Sequence, residues 1–189
     1  MKRFTVLISS LLIISISVFA QETAVSLFEK GNEIKNAGKH SEALTYFLQA
    51  TEKKPDYGEA WYEIGWYYNE IDNFKEALKA LNKANEYWKD QYKVFYELGY
   101  ALYSLDSADG AITNFNKAIT LNPQYLLGYM GLGDVFRKLK ENSKEAITRY
   151  SKVLEYDKNN RKANYWIGWC ANDLGQFDVA IMHLKKTIE

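Results

Sequence analysis

The sequence predicts an all-α protein, an α-solenoid built from five helix-turn-helix repeats. Three observations predict it. Glycines recur at Gly31, Gly65, Gly99, Gly133 and Gly168, with spacings of 34, 34, 34 and 35 residues. An alanine follows each glycine by twelve residues, thirteen in the fourth copy: Ala43, Ala77, Ala111, Ala146 and Ala180. Four residues after each alanine stands a large apolar residue, namely Phe47, Leu81, Phe115, Tyr150 and Leu184. A fixed period of this length marks repeats that bury their faces against one another, and no strand-like alternation interrupts it.

Residues 1–20 come first and stand apart from the repeats. Lys2 and Arg3 precede an uncharged, mostly apolar run from Phe4 to Phe19, and Val18 and Ala20 flank Phe19. That order of basic, apolar and small residues predicts a secretory signal peptide cleaved after Ala20. The run holds 16 residues, four of them serine, which is short of the roughly 20 apolar residues of a spanning helix. The expectation is therefore an exported protein, periplasmic or secreted, with no membrane span after cleavage.

The repeats follow as 24–57, 58–91, 92–125, 126–160 and 161–189. In the second copy Trp61, Ile64, Gly65 and Tyr68 fall at i, i+3, i+4 and i+7, one face of a helix. Ala77, Leu78, Leu81 and Ala84 make the matching stripe on the next helix. Short turns rich in Asn, Asp and Gly lie between them, at 36–40, 71–74, 104–109 and 173–177. The extra residue of the fourth copy falls in the polar stretch 140–143, where it leaves both helices in register. Pro55 and Pro123 end the second helices of copies one and three. A glycine inside a helix costs about 1 kcal/mol relative to alanine, so its fivefold recurrence implies a close approach of the paired helix. The recurring alanine is the expected point of contact.

With these residues in view, the chain resembles the tetratricopeptide repeat family, whose signature is Trp-x2-Leu-Gly-x2-Tyr followed by Ala, an aromatic, Ala and Pro. The match is carried by Trp61, Ile64, Gly65 and Tyr68, by Phe95, Leu98, Gly99 and Leu102, and by Tyr129, Leu132, Gly133 and Phe136. The end copies depart from it, with Lys30 at an apolar position and Asn164 in place of the aromatic. Lys89 and Lys158 replace the terminal proline in copies two and four. The resemblance covers about residues 24–189 and implies a right-handed superhelix. It is specific for fold; function belongs to sites on folds.

Composition excludes several functions. Without Lys2 and Arg3 the chain holds 22 basic and 24 acidic residues, far from the basic excess of a nucleic-acid binder. Its lone Cys170 cannot form an internal disulfide and reads as a small buried hydrophobe. The two histidines, His40 and His183, show no metal-ligand or triad spacing, and no phosphate-binding glycine loop is present. The expectation is a non-enzyme with no cofactor and no metal.

In the family, the first helices line a concave groove, with the positions six and three before each glycine, and one and four after it, facing the ligand. The resemblance thus implies a groove centred on copies two and three. Tyr62, Trp66, Tyr96, Tyr100 and Tyr103 would stack on the ligand, with Asn69 and Lys93 as polar contacts and Tyr165 and Trp169 continuing the lining in copy five. Many members carry asparagine just after the glycine; here Trp66, Tyr100 and Trp169 stand there, which argues against a carboxylate clamp. Aromatics of this kind suit a protein or peptide ligand. The alternatives are sugar rings of a glycan or cell-wall fragment, or a self-associating structural subunit. Tyr67 aligns with Ala101, Val135 and Cys170 on a third face, expected against a neighbouring repeat. On the last helix Ile181, Leu184 and Ile188 form a stripe expected to pack on its own first helix. Its outer side is either polar enough, through His183, Lys185 and Lys186, or covered by a partner or second copy.

Overall fold

The computed structural model of the protein describes residues 22–188; the expected signal peptide lies outside them. Ten helices follow one another with no strand among the described residues: α1 (Ala24–Asn36), α2 (His40–Lys53), α3 (Gly58–Glu70), α4 (Phe74–Tyr87), α5 (Tyr92–Ser104), α6 (Ala108–Leu121), α7 (Leu126–Lys138), α8 (Ser143–Tyr156), α9 (Arg161–Asp173) and α10 (Phe177–Lys185). Each odd helix packs most closely on the even helix after it, and each even helix on the next odd one. This is the all-α repeat fold expected. No helix among the described residues is long and apolar enough to cross a membrane.

The turns repeat as well. Four of the five hairpins turn through three residues, whereas α7 and α8 are joined by four, 139–142. Each hairpin has one residue in the left-handed region at its tip: Gly38, Asp72, Asp106, Glu141 and Gly175, with φ between 49° and 78°. Glycine takes that conformation freely and aspartate tolerates it, which is why Asp and Gly recur there.

The glycine ladder holds the hairpins together, through a different partner from the one expected. A Cβ added to Gly31, Gly65, Gly99 or Gly168 would lie 2.5 to 2.7 Å from a side-chain atom of Phe47, Leu81, Phe115 or Leu184. At Gly133 the opposing side chain is Tyr150. The missing side chain thus makes room for the large apolar residue of the second helix, not for its alanine. The alanines are buried one turn earlier, where their small size lets the helices close.

Two other expectations need correction. Trp61 and Tyr68 pack against the core clusters but are only half-buried, because they also line a cleft of about 270 Å³ between α2, α3 and α4. On α10, Leu184 packs at Gly168, but Ile181 is 52% exposed, and Ile188, beyond the end of the helix, is 83% exposed. The stripe is narrower than drawn because only the side of α10 that holds Ala180 and Leu184 turns toward α9. Ala101, Val135 and Cys170 are fully buried, as their shared face implies. Asn164, at the aromatic position of copy five, is also buried, and its amide donates to the Asn160 carbonyl at 3.1 Å while Oδ1 meets His183 Nδ1 at 2.9 Å.

Gly99→Ala tests the ladder. On helix propensity alone it would stabilise by about 1 kcal/mol. Its methyl would meet the Phe115 ring, which is buried and also pressed against Gly131. Urea unfolding is expected to show a net loss of about 1 to 3 kcal/mol; unchanged or higher stability would refute the close approach.

Candidate functional site

The first helices touch in series, α3 against α5 and α5 against α7, and a polar register aligns them. The residue four after the glycine of one repeat meets the residue two before the glycine of the next. Lys35 Nζ lies 2.7 Å from Glu63 Oε2. Asn69 Nδ2 donates to Glu97 Oε2 at 2.7 Å and to the Glu97 carbonyl at 3.1 Å. The Arg137 guanidinium stands 3.8 Å from the centre of the Trp166 ring. At the remaining junction the pair is Tyr103 and Gly131, and the Phe115 ring fills the place of the absent side chain.

This register corrects two expected ligand contacts. Asn69 is only 2% exposed and spends both amide hydrogens on Glu97. Tyr103 packs toward the cluster of Ala111, Phe115, Leu132 and Val135, with Lys138 Nζ 5.3 Å from its ring. Both positions face the next repeat, because its first helix lies directly against them.

Five of the expected residues do come together. Tyr62 and Trp66 of α3, with Lys93, Tyr96 and Tyr100 of α5, line one depression of about 460 Å³. Glu70, Glu97, Tyr125 and Leu127 complete it. The rings are held by their neighbours. Tyr96 and Tyr125 meet edge to face at 5.3 Å with an interplanar angle of 86°. Tyr62 packs on Trp88, Tyr100 on Phe74, and Trp66 on His40. Lys93 stays exposed at the rim.

Tyr165 and Trp169 lie elsewhere, each 44% exposed and each against Trp166. Trp169 lines a second depression with Arg137, Lys138, Glu141, Ser143 and Asp173. Ser143 donates its hydroxyl to Asp173 at 2.6 Å in this lining, and behind it Tyr150 donates to Asp134 at 2.7 Å while Arg137 donates to both residues. Polar groups that bind one another in this way leave little for a ligand.

Glu97, Tyr125 and Glu70 were not among the expected site residues. Tyr125 lies in the loop after Pro123, outside any count along a helix. Glu97 could have been found by pairing polar residues 28 apart, since Lys35 and Glu63 share the spacing of Asn69 and Glu97. Glu97 is also the unusual group of the site, a carboxyl only 8% exposed. Burial pushes its pKa up to about 7, against the Asn69 hydrogen bond, which favours the ionised form; the charges of Glu70 and Glu63 add to the rise. Burial, with the Glu97 charge next, likewise raises the hydroxyls of Tyr62, Tyr96 and Tyr125 above their usual range. No group of three or more His, Cys, Asp or Glu among the described residues could hold a metal ion.

Comparison with known proteins agrees with this architecture. Tetratricopeptide repeat models match residues 28–91 and 132–188, and another matches 92–125. The chain belongs to the tetratricopeptide repeat family. Among solved structures it is similar to MamA, with 25% identity and a TM-score of 0.76 over 84% of this chain and 92% of that one. It is also similar in fold to YrrB, described as a TPR protein with an unusual peptide-binding site, at 23% identity and a TM-score of 0.72, covering 87% of this chain and 84% of that one. A third is PilF of Pseudomonas aeruginosa, at 17% identity and a TM-score of 0.77, covering 87% and 75% of the two chains. No curated protein matches the chain.

The raised pKa of Glu97 has a definite sign in stability. Between pH 4.5 and about 7 the folded state keeps a proton that the unfolded chain has released, so stability falls as pH rises through that window. The loss is expected to be about 2 to 3 kcal/mol. Urea unfolding of the wild type from pH 4.5 to 8 should show it, and Glu97→Gln, which keeps an acceptor for Asn69, should remove it. Equal slopes in the two proteins would contradict the assignment.

Proposed function

We propose that this member of the tetratricopeptide repeat family is an exported, non-catalytic scaffold that binds a protein or peptide segment in the depression between repeats two and four. Tetratricopeptide repeats are protein-interaction scaffolds, and the fold is generally non-catalytic. The observation that carries the reading is the convergence of Tyr62, Trp66, Tyr96, Tyr100 and Tyr125 on one depression. Their surfaces are half-buried and supported from behind by other rings, so little side-chain freedom is lost when a ligand seats. Aromatic anchors of this kind dominate binding energies, each often contributing 2 kcal/mol or more. Export is supported by the basic, apolar and small-residue order of residues 1–20.

A second reading, self-association, rests on the apolar face of α10. There Phe177 is 62%, Ile181 52% and Met182 50% exposed. Sedimentation equilibrium of the protein and of Ile181→Lys tests it directly: a dimer lost in the variant supports it.

For the principal reading, the immobilised chain and its Trp66→Ala and Tyr100→Ala variants are exposed to a native envelope extract. Both variants are expected to lose about tenfold or more in apparent affinity for the bound polypeptides, with melting within a few degrees of wild type. Tyr68→Ala, on the opposite side of α3, should instead lower stability by about 2 to 3 kcal/mol and leave binding by the folded fraction intact. Undiminished binding by both Trp66→Ala and Tyr100→Ala would refute the site, and saturable binding of sugars alone would replace it with the glycan alternative.

A further inference from the structure

We infer that the depression takes a cationic side chain, lysine or arginine, of the bound polypeptide, with Glu97 as its counter-charge and the rings of Tyr62, Tyr96 and Tyr125 around it. This inference rests on the proposed reading of the depression as the peptide site, and it names the chemistry that the site selects.

Three independent observations lead to it. The first is the carboxyl itself. Glu97 lies at the buried end of the depression; Oε2 accepts from Asn69, while Oε1 accepts no hydrogen bond among the described residues. A buried carboxylate with half of its acceptor capacity free is costly unless a charged partner arrives. Among the described residues no cation forms a salt bridge with it: Lys35, the basic residue one repeat earlier, is bound to Glu63. Glu70 adds a second acidic group to the lining.

The second is the arrangement of the rings. Tyr96 and Tyr125 stand almost perpendicular, and both line the same depression as Tyr62 and Glu97. Ring faces attract cations, and phenol oxygens accept hydrogen bonds. An ammonium with three donors, or a guanidinium with five, can therefore bind carboxylate, phenol oxygen and ring face together.

The third is a contrast within the molecule. Elsewhere the chain sets its own cations over its rings, with Lys83 over Trp61 at 4.1 Å and Arg137 over Trp166 at 3.8 Å, and within the lining Lys35 stands over Trp66 at 5.6 Å. Among the described residues none stands over Tyr62, Tyr96, Tyr100 or Tyr125. The tyrosines that line the depression with Glu97 are thus rings left without a cation among the described residues. Lys93, the one base in the lining, is exposed at the rim, where a long flexible stem keeps its ammonium in water.

The test uses single side chains as probes on the full chain, in amide-resolved NMR titrations at pH 8, where Glu97 is ionised. Nα-acetyl-lysine amide and Nα-acetyl-arginine amide are expected to shift the Tyr96, Glu97 and Tyr125 amides and the Trp66 indole saturably. Neutral Nα-acetyl-norleucine amide should bind about tenfold more weakly or not at all. Glu97→Gln should weaken lysine binding about tenfold, and Tyr125→Leu, a change in a loop, about threefold. Norleucine binding equal to lysine, lysine shifts confined to the Arg137–Trp169 region, unaltered affinity in Glu97→Gln, or tighter binding of Nα-acetyl-glutamate amide would each overturn the inference. If the envelope polypeptides bind through Trp66 and Tyr100 while no cationic probe binds, only the cation selectivity fails. If the cationic probes bind there and the polypeptides do not, the peptide reading fails and the cation site stands.

Discussion

The distance between the two helices of each hairpin, set where a glycine lets a large apolar side chain through, governs the rest of the molecule. Phe47, Leu81, Phe115, Tyr150 and Leu184 each occupy the space that a side chain on the opposing helix would need. With the hairpin closed at that point, the first helix keeps one rotational setting relative to the second. Its remaining faces are then committed: one to the core, one to the next repeat, one to the ligand side. Phe115 reaches furthest, since it is pressed against Gly99 in its own repeat and Gly131 in the next.

Once the hairpins are fixed, contacts between successive first helices decide what the ligand side looks like. The ion pair of Lys35 and Glu63, the amide bond of Asn69 to Glu97 and the stacking of Arg137 on Trp166 use the same two positions with different chemistry. Each brings α-helices that share no covalent turn into register. The consequence for function is local. The Asn69 contact anchors Glu97 at the base of the aromatic depression and burial raises its pKa. Repeats four and five meet through Arg137 on Trp166, and that guanidinium is held in its own repeat by Asp134 and Tyr150. The two depressions therefore differ in chemistry although the repeats are alike in fold.

Periodicity made the fold legible. Glycine, alanine and anchor recur at fixed offsets, and an insertion at residues 140–143 was readable because it displaced only what followed it. The aromatic half of the site was legible for the same reason: positions three before and one after the glycine set Tyr62, Trp66, Tyr96 and Tyr100 on one side of their helices. Asn69 and Tyr103 were misplaced because a count along one helix does not show which helix lies next to it. Glu97 and Tyr125 escaped notice for related reasons. One belongs to a pairing across 28 residues, the other to a loop where helical spacing does not apply. The half-burial of Tyr68 and the exposure of Ile181 reflect the finite width of the buried stripe, and Ile188 is exposed because α10 ends at Lys185, neither of which residue type alone reveals.

The site has aromatic walls and an acidic floor, presented by α3, α5 and the start of α7. Site-specific photo-cross-linking addresses it most directly, with benzoylphenylalanine in place of Tyr100 inside the depression or in place of Lys79 on the opposite side of the solenoid, and the cross-linked partner segment sequenced by mass spectrometry. Capture is expected from position 100 only, at a segment with a lysine or arginine within a residue or two of the cross-link. Capture from position 79 alone, or of segments without a basic residue, would contradict this reading of the site.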